Sequence, residues 1–200
     1  MRTSAFGAAF ALLFLSVPAA AQTADPARAP VQALDDGLLA IMKAGRSAGV
    51  AGRAARIGPV VDRSFDVPLM TRLAVGPSWT GIAPAEQAGL VAAFRRLTVQ
   101  QYARNFDGYA GETFSIAPQV ESRGGDKLVR TTLNAHDGPV AISYRLRATA
   151  GGEWRIIDVF YKNAISQLAT RRADFASILQ SGGARALIAH LDQLAAKPAS

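Results

Sequence analysis

The chain has 200 residues, of which 50% are hydrophobic, a formal net charge of +7 and no cysteine. The lack of cysteine excludes disulfides, thiol catalysis and cysteine metal sites. The arginines are dispersed and do not form a basic run interleaved with aromatic residues, so nucleic acid is not a predicted partner. A moderately positive surface is better suited to anionic headgroups or to an acidic partner.

The first residues have the order of an export signal: a positive charge, an apolar run and a small-residue cleavage site. Arg2 supplies the charge, residues 5–17 form the apolar run, and the small residues end at Ala21. The run is shorter than the about 20 apolar residues that a transmembrane helix needs. We therefore expect a Sec-type signal peptide over residues 1–21, cleaved after Ala21, and an exported product.

The first half of the mature chain has helical patterning. Residues 22–30 are rich in alanine and proline and are expected to form a flexible leader. Apolar residues then recur at helical spacing, interrupted by glycine and proline. The pattern predicts helices over Val31–Lys43, Val67–Val75 and Pro84–Phe106, and a weaker helix within Ser47–Asp62 that continues as far as Pro59.

The second half alternates with a period of two, which indicates β-strands separated by glycine turns. The pattern predicts strands over Thr113–Val120, Lys127–Ala135, Pro139–Thr149 and Glu153–Tyr161, then helices over Ala164–Gln180 and Gly183–Ala196. Helices followed by an antiparallel meander and further helices define an α+β fold. We expect one domain over residues 31–196, with a helical part over 31–110, a sheet over 112–162 and C-terminal helices over 164–196.

The last predicted strand is apolar on both faces. Strict alternation puts Trp154, Ile156 and Phe160 on one face of the strand. It puts Ile157, Val159 and Tyr161 on the other face. An antiparallel sheet normally needs only one apolar face. The second face therefore indicates either full burial or the lining of an apolar cavity.

Two charged residues interrupt these apolar surfaces. Asp158 lies in the middle of the last strand, and Arg172 lies within the apolar stripe of the following helix, which consists of Ile165, Leu168, Phe175 and Leu179. Because a buried charge needs a partner, an ion pair between Asp158 and Arg172 is the favoured interpretation. The alternative is that Asp158 is a general base inside a cavity.

No catalytic or metal-binding motif is apparent in the sequence. The two histidines, His136 and His190, are far apart and outside any metal-ligand spacing. The chain has no glycine-rich phosphate loop and no Gly-x-Ser-x-Gly nucleophile elbow. We therefore predict no catalytic residue, no metal and no cofactor.

Three segments, taken in order and spacing, resemble the MlaC family, and most closely its hopanoid-associated HpnM-type branch. They are DVPLMTRLAVGPSW at 66–79, APAEQAGLVAAFRRLTVQQYARNFDGY at 83–109 and WRIIDVFYKNAISQLATRRADFASIL at 154–179. The resemblance covers nearly the whole mature chain. None of the segments is a catalytic fingerprint, so the similarity lies in their order.

The resemblance implies a curved, four-stranded, NTF2-like antiparallel sheet packed against several helices around an apolar cavity. It implies a periplasmic lipid carrier without enzymatic activity, with phospholipid or a hopanoid as cargo. The implied partners are an inner-membrane ABC transporter with its MCE protein and an outer-membrane lipoprotein complex.

The apolar strand and helix faces, taken with this resemblance, give a set of expected cavity residues. These are Val75, Trp79, Phe94, Leu97, Ile142, Tyr144, Ile157, Val159, Tyr161 and Ile165. Arg172 is expected to pair with Asp158, or else to face a lipid phosphate.

Two other classes of function remain open from the sequence. The chain could be an NTF2-like isomerase or hydratase acting on an apolar terpenoid substrate, with Asp158 and either Tyr144 or Tyr161 as the acid/base pair. That enzyme requires Asp158 to point into the cavity. The chain could also be a ligand-free periplasmic adaptor, in which side chains would fill the space between sheet and helices.

Overall fold

The computed structural model describes residues 24–198, so the predicted signal peptide and its cleavage site lie outside the described residues. The helices are α1 (Arg28–Ala44), α2 (Gly49–Ser64), α3 (Val67–Val75), α4 (Pro84–Asn105) and α5 (Gln167–Ala196). The strands are β1 (Thr113–Arg123), β2 (Asp126–Ala135), β3 (Gly138–Ala148), β4 (Trp154–Tyr161) and β5 (Ile165–Ser166). Helices before and after an antiparallel sheet confirm the predicted α+β class.

Helix α3 has the predicted bounds because its two ends carry strong local signals. The Asp66 carboxylate accepts a hydrogen bond of 2.9 Å from the Leu69 backbone N–H, which satisfies one of the free donors of the first turn. Pro68 lies in that first turn, where it costs no hydrogen bond. Gly76 ends the helix at a φ of 70°, a conformation that favours glycine.

The predicted flexible leader is wrong for its described part. Ala27 is fully buried, and helix α1 starts at Arg28. Asp25 fixes this segment in two ways: its carboxylate accepts a hydrogen bond from the Ala27 N–H at 2.9 Å and forms an ion pair with Lys127 at 2.7 Å. Although this segment is rich in alanine and proline, it forms the anchored start of helix α1.

The sheet is an open antiparallel meander in the order β1-β2-β3-β4-β5. Four strands were predicted, and the fifth consists of two residues that pair Phe160 with Ser166 and Tyr161 with Ile165. The tight connection between β4 and β5 places Lys162 and Asn163 at positive φ, 51° and 57°. A strand this short has no periodicity for the sequence to reveal.

Strand β4 contains a β-bulge that changes which residues share a face. Leu146 pairs with Ile156 and Arg145 pairs with Asp158, so Ile157 is an extra residue without a partner on β3. As a result Ile156, Val159 and Tyr161 lie on the same face of the sheet, and Ile157 does not belong to that face. The strict alternation predicted for this strand is therefore wrong.

The helices cover one face of the sheet, which we call the inner face, and the core lies between them. Its largest fully buried side chains come from the helices and from the inner face, and include Leu34, Leu38, Ile41, Phe94, Leu97, Tyr144, Leu146, Ile156 and Leu187. The opposite, outer face carries Arg145 and Arg147 of β3. No helix within residues 24–198 is both long and apolar enough to span a membrane.

Candidate functional site

A cavity of about 370 Å³ lies between the inner face of the sheet and helices α3, α4 and α5. This volume is within the range of roughly 300–1,000 Å³ that is typical of small-molecule sites. The sheet contributes Ile142 and Tyr144 from β3 and Val159 and Tyr161 from β4. Tyr144 is 2% exposed and Tyr161 is 43% exposed, so this wall runs from a buried floor to an open rim.

The helical wall is largely aromatic and aliphatic. It consists of Phe65, Met70, Phe94, Tyr102, Phe106 and Leu168. The ring centroids of Phe65 and Tyr102 are 6.0 Å apart, and those of Tyr102 and Phe106 are 5.9 Å apart. These spacings are those of favourable aromatic pairs. The helices thus present a continuous apolar surface opposite the sheet.

Polar side chains from α4 and α5 complete the cavity lining. Gln101, Asn105 and Gln167 supply amides, and Arg171 supplies a guanidinium group. The Arg171 guanidinium donates a hydrogen bond of 2.6 Å to the Gln101 side-chain oxygen and lies 5.0 Å from the centroid of the Phe94 ring. Desolvation lowers the pKa of Arg171 from its ordinary value, although the group stays cationic.

The structure brings half of the expected cavity residues together. Phe94, Ile142, Tyr144, Val159 and Tyr161 line the cavity, whereas the other five lie elsewhere, namely Val75, Trp79, Leu97, Ile157 and Ile165. These five lie in the core, in a second cleft or at the surface.

Val75 and Leu97 are buried in the core, and Trp79 packs against that core from the short 3₁₀ segment Gly76–Gly81. Ile157 is the bulged residue of β4 and lines a cleft that also contains Asp158. Ile165 is on β5 and 53% exposed. Large apolar residues are thus distributed among core, cleft and surface, and their type alone does not tell these places apart.

The favoured ion pair between Asp158 and Arg172 is not formed among residues 24–198. The Asp158 carboxylate accepts hydrogen bonds from the Ser166 hydroxyl at 2.6 Å and from the Leu168 backbone N–H at 3.1 Å. It therefore ties β4 to β5 and to the first turn of α5. The Arg172 guanidinium instead lies so close to Gly76 that a Cβ there would be 3.0 Å from its Nε.

Asp158 also lies away from the cavity. It pairs in register with Arg145 on the outer face and lines an outer cleft, together with Arg172. The isomerase hypothesis requires an acid that points into the cavity, and Asp158 does not meet that condition.

A second buried acid, Asp35 of α1, lies close to the cavity wall. It is fully buried, and neither carboxylate oxygen has a hydrogen-bond partner among the described residues. Burial, with a smaller contribution from Asp36, raises the pKa of Asp35 to about 7. The Asp35 charge also adds to the burial that raises the pKa of Tyr102 and of Tyr144.

Sequence reasoning missed Arg171 and the three amides. The signal was present, because Leu168, Arg171 and Phe175 follow a spacing of three and four on one helical face. Ile165 was counted into that stripe, but α5 begins only at Gln167. Without Ile165, the spacing of the remaining stripe residues fits Arg171 as well as Arg172. In the structure Arg172 is exposed and Arg171 is half-buried.

Comparisons with known proteins agree with this architecture. Among solved structures, the chain is similar to a phospholipid-binding protein from Ralstonia solanacearum, determined in complex with a phospholipid. The TM-score is 0.74 with 25% sequence identity, covering 85% of this chain and 97% of that chain. A more distant similarity is to the iota-carbonic anhydrase from a cyanobacterium, complexed with bicarbonate. Its TM-score of 0.41 and identity of 19%, over 74% of this chain and 96% of that one, carry no functional argument.

The family model described as MlaC protein matches residues 32–193, which include all of the cavity-lining residues. The match extends over most of the chain and over helices and sheet alike. The chain therefore belongs to the MlaC family.

Proposed function

We propose that this protein is a periplasmic lipid carrier that encloses acyl chains in the cavity between the sheet and helices α3, α4 and α5. The observation that carries the proposal is the apolar cavity itself, which is walled by aromatic and aliphatic side chains and reaches the surface at Tyr161. The structurally similar protein from Ralstonia solanacearum is described as phospholipid-binding, which supports a lipid as the ligand here.

The physical need for such a carrier follows from the cost of hydrating hydrocarbon. Each acyl CH₂ exposed to water costs about 0.8 kcal/mol, so a free lipid crosses an aqueous compartment slowly. A protein that buries the chains removes most of this cost and needs no reaction to do so. The lining supports this use, because most of it is hydrocarbon and Asp158 lies on the opposite face of the sheet.

The cargo is a phospholipid or a hopanoid-type lipid, as in the HpnM-type branch that the sequence resembles. The carrier exchanges it with an inner-membrane ABC transporter and its MCE protein on one side. On the other side it exchanges the cargo with an outer-membrane lipoprotein complex. The residual cavity favours this function over a ligand-free adaptor, since side chains do not fill the space between sheet and helices.

The direct test is native mass spectrometry of the mature protein purified from its own periplasm, followed by extraction and identification of the lipid. Val159→Trp places a large side chain in the cavity, and Phe160→Trp, one residue further on, puts the same side chain on the outer face, where a large aromatic ring is already present. We expect lipid to co-purify with the wild type and with Phe160→Trp, and to be strongly reduced in Val159→Trp. A wild-type protein that carries no lipid and takes none from mixed liposomes would refute the carrier function.

A further inference from the structure

Arg171 is the one charged side chain among the described residues that line the cavity. The remaining described residues of the lining are apolar side chains, amides, a threonine and tyrosines. A cation in such surroundings is costly unless it is well paired. Its position therefore calls for an explanation beyond the packing of the helices.

The protein satisfies Arg171 only in part. A guanidinium group has five N–H donors, and the side-chain hydrogen bond found for Arg171 is the one to Gln101 at 2.6 Å. Within residues 24–198 no carboxylate oxygen lies within 4.0 Å of an Arg171 nitrogen, and the charge of Asp174 acts on Arg171 only from beyond that distance. The Phe94 ring supports one face of the group at 5.0 Å but accepts none of the remaining donors in the guanidinium plane.

Another buried arginine shows how this fold pairs a guanidinium group inside its core. Arg53 is 2% exposed and donates to two backbone carbonyl oxygens, those of Ala103 and Gly45, each at 2.7 Å. Arg53 does not line the cavity described above. Among the described residues, the protein thus provides two backbone acceptors for the arginine inside its core and one side-chain acceptor for the arginine that borders the cavity.

Three amide side chains of α4 and α5 accompany Arg171 in the cavity lining. Gln101 and Asn105 come from α4, one helical turn apart, and Gln167 lies one turn before Arg171 on α5. Their amides can donate or accept hydrogen bonds. A lipid, which joins a polar headgroup to a hydrocarbon body, can use both the polar and the apolar side chains of this lining.

We propose that Arg171 binds the phosphate of the lipid cargo, so that the cavity selects phosphate-bearing lipids over neutral lipids with the same hydrocarbon chains. Guanidinium groups bind phosphate oxygens through paired, charge-assisted hydrogen bonds. This inference rests on the proposed carrier function and narrows its cargo: a hopanoid without an anionic group leaves the free donors of Arg171 unpaired.

The test is a competition between two lipids that differ in the phosphate headgroup and share their chains. Delipidated mature protein is mixed with liposomes that contain equal amounts of dioleoylphosphatidylglycerol and dioleoylglycerol, and native mass spectrometry gives the ratio of bound lipids. We expect the wild type to prefer the phospholipid by about tenfold or more, the factor typical of hydrogen bonds to a charged group.

Arg171→Gln removes the charge and is expected to abolish most of this preference while total lipid occupancy persists. Arg172→Gln is the matched control, because it removes the same charge from the next, exposed position of α5. We expect it to keep the wild-type ratio. Arg171→Lys keeps a point charge without the planar donor pair and is expected to retain part of the preference, and it serves if Arg171→Gln does not fold.

The possible failures are distinguishable. If the wild type takes up both lipids equally, the phosphate is not recognised and the role of Arg171 is refuted, while the carrier function stands. If Arg171→Gln and Arg172→Gln lose the preference equally, the selectivity comes from the overall positive charge and not from Arg171. If the wild type takes up neither lipid, the carrier function itself fails, and the inference fails with it.

Discussion

The cations on the two sides of the sheet differ in whether a carboxylate of the protein pairs with them. On the outer face, Arg145 and Arg147 both donate to the buried carboxylate of Asp126, at 2.5 and 2.6 Å. The inner face carries Ile142 and Tyr144 on the same strand and opens onto the cavity, whose cation, Arg171, has no carboxylate within salt-bridge distance among the described residues. The outer cations are part of the architecture, whereas the inner one is available to a ligand.

The largest expected effect is on the free energy of unfolding, and it concerns the apolar residues of the inner face. Leu146→Ala removes a fully buried side chain that pairs with Ile156, and we expect the free energy of unfolding to fall by about 2–5 kcal/mol, as for other buried leucines. The matched control is Leu128→Ala, a half-buried outer-face residue of β2 that pairs with Arg145. Urea denaturation of both variants measures the difference, and equal losses would contradict the distinction between the faces.

A second prediction concerns Asp35, the buried acid of α1 that has no hydrogen-bond partner among the described residues. The pKa of Asp35 is raised from 3.8 to about 7 in the folded state. Its contribution to stability is therefore fully present below about pH 4 and is lost as the pH rises to about 7. At 1.36 kcal/mol per pKa unit, Asp35→Asn should raise the free energy of unfolding at pH 8 by up to about 4 kcal/mol.

Urea denaturation of the wild type and Asp35→Asn between pH 4 and pH 8 checks this sign. The two proteins should approach each other at the acidic end of the range, where Asp35 is protonated. A variant that is less stable than the wild type at pH 8 would mean that the Asp35 carboxylate has a favourable partner in solution.

The paired acid on the outer face should behave in the opposite way. Hydrogen bonds from Arg147 and then Arg145 hold the pKa of Asp126 below 3.8, so its contribution is present above about pH 4 and is lost as the pH falls through the folded-state pKa. We expect Asp126→Asn to lower the free energy of unfolding at pH 7 by about 1–3 kcal/mol. Denaturation at pH 7 and at pH 3 measures the effect, which should shrink on acidification; a constant loss would show that packing, and not charge, is responsible.

The smallest expected effect separates stability from ligand binding. Asp158→Asn weakens the hydrogen bonds that tie β4 to Ser166 and Leu168, and should cost about 1 kcal/mol. Because Asp158 faces the outer cleft, the amount of lipid that co-purifies should stay at the wild-type level. Thermal denaturation and native mass spectrometry of one preparation measure the stability and the amount of bound lipid. A variant that loses bound lipid but keeps the wild-type stability would indicate that Asp158 acts in the cavity.

The sequence predicts this fold wherever the signal is local. Asp66, Pro68 and Gly76 fix both ends of α3, and the alternation of apolar and polar residues in β3 predicts its two faces correctly. The bulge at Ile157 is different, because it arises from pairing between strands and leaves no mark in β4 itself. That single displaced residue is why Ile157 was wrongly included in the cavity.

The site is less predictable than the fold for a related reason. Arg171 and Arg172 are adjacent residues of one type, and only the start of α5 and its packing against Gln101 and Phe94 decide which of them borders the cavity. The anchored start of α1 likewise depends on Lys127, a residue 102 positions away from Asp25. Contacts between distant segments determine these features, so the residues next to them in the sequence do not predict them.

The bulge also determines how the length of this chain can vary. Strand β4 carries one residue more than its pairing with β3 requires, and the residue next to the extra Ile157 is another isoleucine, Ile156. Loss of one isoleucine codon would straighten the strand and still leave Val159 and Tyr161 directed at the cavity. Loss of a residue after Asp158 would turn the remainder of the strand over and expose its cavity side. Related chains that differ in length in β4 are therefore expected to carry their insertion or deletion at this isoleucine pair.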